Sequence, residues 1–178
     1  MRGERIGAII GSIGGLVFIL INAGQLAAPL STVVRVAGAL GFAAVVWFAV
    51  IRPGAPAAPA GPPTGRAIRI YWAAVAAMVV AIPAGAALLN NVLDRPALTP
   101  LWVVFVVGAH FLPFAGAFEA PVFARLAWTM MGLAAAGAVL GVLVTASAVA
   151  WAGVLAGAAL LAFSAAGSMR RPVAVPAP

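Results

Sequence analysis

Apolar positions do not alternate along this chain, nor do they recur every three or four residues between polar faces. They come in six long, nearly unbroken runs, at residues 6–21, 30–51, 68–89, 101–118, 126–144 and 149–167. Runs of about 18 or more apolar residues are long enough to cross a bilayer as helices, and only helices or closed barrels satisfy the backbone there. The pattern predicts an all-α polytopic membrane protein, a single bundle of six transmembrane helices with no soluble domain. Polar residues collect between the runs. Asn22 to Pro29 reads as a short uncharged loop. Asn90, Asn91, Asp94, Arg95 and Pro96 form a polar turn, and Thr145-Ala-Ser147 is too short to do other than join antiparallel neighbours.

Glycine and proline refine the picture. Gly3, Gly7, Gly11 and Gly15 recur every four residues in the first run. That spacing puts them on one helix face, where a second backbone can come close. Gly137/Gly141 and Gly153/Gly157 give the last two spans similar faces, and the short loop between these spans predicts that they pack on each other. The first glycine face packs within the chain or between copies, which leaves a homo-oligomer open. Pro53 to Gly65 is a Pro/Ala/Gly-rich linker, read as extended and partly polyproline II. Residues 172–178 form a Pro-containing tail, read as disordered. Pro83 interrupts the third run and Pro113 the fourth. Thr99-Pro100 reads as an N-cap followed by proline in the first turn. Two inverted halves of three spans would need matching breaks, and neither proline has a counterpart.

Charge gives the orientation. The ten basic residues are all arginine, and only three residues are acidic. Arg2, Arg5, Arg52, Arg66, Arg69, Arg125, Arg170 and Arg171 fall on one side if the N-terminus is inside, with Arg95 the clear exception. The positive-inside rule then predicts both termini in the cytoplasm, and explains the net charge of +7 without a nucleic-acid partner. Arginine without lysine, amid abundant Ala, Gly, Pro and Val, points to a GC-rich bacterial genome and a multi-pass protein of the inner membrane. Arg35 lies inside the second run, either snorkelling to the interface or facing a cavity.

Candidate chemistry is sparse. There is no cysteine, which removes disulfides and thiolate sites. His110 is the one histidine, near the middle of the fourth run, and an ionisable residue there marks a site by default. Pro113, three residues on, lacks an N–H and its ring presses on the Ala109 carbonyl, which predicts a free acceptor beside His110. His110, Ala109, Pro113 and, from the neighbouring span, Pro83 form the candidate intramembrane polar site. It could hold water, a cation or a polar substrate group. The bland alternative is a histidine bonded to one carbonyl that only fixes packing. A single histidine cannot hold a metal alone, and no catalytic or nucleotide-binding motif is present, so no metal, cofactor or enzymatic activity is expected. Two functions of different class follow: passage of a small solute or protons along a path by His110, the substrate unknown, or a non-catalytic scaffold or accessory subunit.

The segment His110-Phe-Leu-Pro113-Phe, preceded by Trp102 and Gly108, resembles a motif in six-span integral membrane proteins of high-GC actinobacteria. The resemblance covers about one span and its flanks. It implies a bacterial membrane protein of six spans and transfers no functional residue.

Overall fold

The computed structural model describes residues 3–48 and 63–168. Seven α-helices are found there: α1 Gly3–Ala23, α2 Ala28–Val46, α3 Gly65–Asn91, α4 Thr99–Ala109, α5 Leu112–Ala117, α6 Pro121–Leu143 and α7 Ser147–Ser168. A 3-10 turn at Pro96–Leu98 leads into α4. With α5 it completes one broken span, so the described residues hold six helical spans long and apolar enough to cross a membrane. The protein is an all-α, multi-pass membrane protein. Most of the linker and all of the tail lie outside the described residues. The end of the linker is helix: Thr64 caps α3, its hydroxyl accepting from Ala67 N–H at 3.2 Å, and Gly65 is already helical.

Helices in a bilayer gain little from hiding apolar surface, because lipid is equally apolar. Close packing and hydrogen bonds hold them together. The bundle is built on that basis around α7, of which 56% is buried against 6% of α3. α7 runs antiparallel to α1. Gly15 meets the backbone of Gly157 and the Leu161 side chain, and Gly11 meets Ser164. On another side α7 receives α6, with Gly137 against Ala152 and Gly141 against Val149. Leu101, Val104, Met130, Ala134, Ala156 and Leu160 close the core between α4, α6 and α7. Ile19, Val45 and Leu161 form a smaller core that joins α2.

Three sequence expectations change here. The α6 glycines do face α7, but Gly153 and Gly157 face Asn22, Gly15 and Ile19 of α1. A helix has several sides, and α7 gives its most open one to the helix that starts the chain. The first glycine stripe is also divided: a Cβ at Gly7 would meet nothing within 4 Å. The backbone of Gly3 begins α1. Finally, α3 continues through Pro83 rather than ending there.

Candidate functional site

The fourth span breaks at His110. Up to that point each backbone N–H bonds four residues back, and the N–H of His110 still reaches the Val106 carbonyl at 3.0 Å. The next donor changes register. The N–H of Phe111 bonds the Gly108 carbonyl at 3.1 Å, three residues back, and the Val107 carbonyl loses its backbone donor. The His110 ring takes that place, bonding Val107 O through Nδ1. A carbonyl can only accept, so Nδ1 carries the proton and Nε2 remains an acceptor. Pro113 falls in the first turn of α5, where its missing N–H costs nothing. The histidine and the proline are therefore two halves of one device. The proline starts the new helix and the imidazole closes the old one.

Rings fill the space around the break. His110 lies 4.1 Å from the Phe111 ring and 5.3 Å, edge-on, from Phe114. Phe114 is buried and also stacks on Tyr71 of α3 at 5.5 Å, with Phe123 of α6 at 5.9 Å. This aromatic cluster binds three helices at the level of the break.

The prolines of the predicted site do not converge on His110. The Ala109 carbonyl, at the end of α4 beside His110, accepts none of the hydrogen bonds across the break, as expected of a free acceptor. Pro83 and Pro113 are exposed on the surface of the bundle rather than turned toward a shared space. Pro83 belongs to the level of Trp102, about 12 Å along the helix from His110. There the Trp102 indole donates to the Ala81 carbonyl at 2.9 Å, and its ring occupies the space a Cβ on Gly85 would take. An open apolar cavity of about 310 Å³ lies between α2 and α7. Gly41, Val45, Phe48, Leu161 and Ala165 line it, and no polar side chain does.

Comparison of the chain with family models, with curated proteins and with solved structures finds no match.

The structure also places polar residues outside the predicted site. Asn22 is not in a loop. It belongs to α1 and is 3% exposed. Its Nδ2 donates to the Phe18 carbonyl at 2.8 Å, while Oδ1 is buried without a partner against Gly153. Its spacing carried the signal, since Asn22 is seven residues after Gly15 and continues the same face. Thr99 is the first residue of α4 rather than its cap, and its hydroxyl donates to Asn90 Oδ1 at 2.8 Å. Arg35 is exposed and reaches back to the α1–α2 loop, with Nη2 only 2.8 Å from where a Gly24 Cβ would stand. This is the snorkelling geometry. Among the described residues there is no ion pair, so Glu119 and Arg125 stay apart, and no three His, Asp or Glu side chains gather.

Proposed function

We propose that this chain is a non-catalytic scaffold or accessory subunit of a bacterial cytoplasmic membrane, with both termini on the cytoplasmic side. One observation carries the reading: the His110 ring spends its only proton on the Val107 carbonyl of its own helix. A waypoint for solutes or protons has to present that proton to a path. Here the proton repairs the hydrogen bond lost at the helix break, and phenyl rings occupy the surrounding space. The outward placement of Pro83 and the apolar lining of the cavity beside α7 add support. The arginine distribution supports the orientation, and arginine without lysine supports the bacterial source.

The test is flux. Purified protein and its His110→Ala variant are reconstituted into vesicles and assayed with protons, alkali cations and small amphiphilic solutes. Both should be indistinguishable from empty vesicles. A flux present in the wild type and abolished by His110→Ala would replace the scaffold with the transport reading.

A further inference from the structure

We propose that the protein self-associates in the bilayer through a hydrogen bond from the Trp128 indole of one copy to His110 Nε2 of the next. The inference rests on reading His110 as a packing group and adds the partner that its free nitrogen binds. With Nδ1 committed to Val107, Nε2 can only accept, and no donor among the described residues reaches it. The ring is half-buried, and Nε2 is not among the fully enclosed, unpartnered atoms, so it keeps some accessible surface. Lipid tails have no donor to give it, and an unmatched polar atom in hydrocarbon is costly.

Trp128 offers the complement. It is 64% exposed on α6, and its indole N–H has no acceptor among the described residues. Indole nitrogen can only donate. The two groups lie at one depth: His110 is seven residues before the last residue of α5, and Trp128 is seven residues after the first of α6. Both are therefore about 10 Å from the turn that joins these helices. The packing of Gly108 against Ala127 and Met130 puts the helices in the same register. Rotation about an axis along the membrane normal preserves depth, so a cyclic assembly brings the Trp128 of one copy level with the His110 of its neighbour. Close approach is also provided for. Gly132, one turn beyond Trp128, and Gly116 of α5 both have open space where a Cβ would stand. Small residues of this kind admit a second helix.

The experiment counts subunits. Full-length protein is labelled with a fluorophore, reconstituted into phosphatidylcholine vesicles over a range of protein-to-lipid ratios, and bleached step by step. Wild type should form oligomers. Trp128→Phe keeps an exposed ring and removes the donor, and should weaken association roughly 3- to 20-fold, the range for one interhelical hydrogen bond. Adding His110→Phe to Trp128→Phe should cause no further loss. Trp72→Phe, at another exposed tryptophan, should change nothing. A monomeric wild type, full association by Trp128→Phe, or equal weakening by Trp72→Phe would overturn the proposal. Trp128 is 64% exposed and makes no hydrogen bond among the described residues, so its variant is informative even where His110→Phe is unstable. The flux assay is separate: transport lost in His110→Ala would remove the scaffold reading, while loss of oligomers alone leaves that reading in place.

Discussion

Gly7 and Gly15 belong to one four-residue repeat, yet substitution by alanine should move stability in opposite directions. At Gly15 a Cβ would stand 2.7 Å from the Gly157 carbonyl oxygen and 3.1 Å from the Leu161 backbone nitrogen. An ordinary contact begins at 3.4 Å, so the shortfall is about 0.7 Å. Both obstacles are backbone and cannot rotate away. The helices must part, and a gap of roughly 0.5–1 Å already forfeits a quarter to a half of the dispersion attraction across it. Overpacking of this kind costs about 1–3 kcal/mol. Alanine returns up to ~1 kcal/mol of helix propensity over glycine. The net for Gly15→Ala is a loss of up to about 2 kcal/mol. At Gly7 a Cβ meets nothing within 4 Å, and only the propensity term acts. Gly7→Ala should leave stability unchanged or raise it by up to ~1 kcal/mol. Titration of purified protein in mixed micelles with sodium dodecyl sulfate, followed by circular dichroism, measures both. Equal destabilisation by the two variants would refute the assignment of the α1–α7 contact to this end of the stripe.

Other outcomes follow from single contacts. Gly85→Ala should displace the Trp102 indole and lose the bond to Ala81, costing about 2–4 kcal/mol in the same titration. Tryptophan fluorescence should report the displaced ring, and Trp102→Phe should relieve most of the clash. Gly153→Ala should destabilise by about 1–3 kcal/mol, because its Cβ falls on the Asn22 amide. Asn22→Ala in the same chain should restore much of that loss, and simple additivity would contradict the contact. In intact cells, cysteine placed at Asn91 or Ser147 should react with an impermeant thiol reagent and cysteine at Gly61 should not. Labelling at Gly61 would reverse the orientation.

The six spans were legible because a bilayer leaves a chain little freedom. Any segment that crosses it must be apolar for its full length, and the runs declare themselves. Partners were less legible. The repeat from Gly11 to Gly15 fixes a face but not what meets it, and the short Thr145–Ser147 loop predicts only that the last two spans are neighbours. The loop does hold α6 beside α7 through Gly137 and Gly141. It says nothing of the opposite side, where Gly153 and Gly157 take α1. At the candidate site, Pro113 announced a break and His110 a polar group beside it. Proline chemistry points to a free Ala109 carbonyl, and none of the hydrogen bonds across the break uses it. That the change of register at Phe111 would also release the Val107 carbonyl, and that the His110 ring would take it, was not readable. Asn22 was missed because a polar residue at the end of an apolar run looks like the start of a loop.

A regularity joins these polar groups. Ser12 donates to Ile9, Asn22 to Phe18, Thr32 to Ala28, His110 to Val107 and Thr129 to Arg125, each to a carbonyl three or four residues back in its own helix. A helix in hydrocarbon can do this because every carbonyl oxygen keeps a second lone pair after accepting its backbone N–H. It has no equivalent surplus of donors, since each interior N–H is spent once. These five donors are therefore satisfied at home, whereas the Trp102 indole donates to α3 and the Trp128 indole has no acceptor among the described residues. Asn22 Oδ1 and His110 Nε2 are the acceptors left by that asymmetry. They have met it differently. Oδ1 lies with the rest of the amide in the space that the missing Gly153 side chain leaves. It is sealed from outside, and its role ends with packing α1 on α7. Nε2 is not fully enclosed and has no donor among the described residues. The same argument that makes Asn22 a structural residue makes His110 the polar group of this bundle with binding capacity to spare.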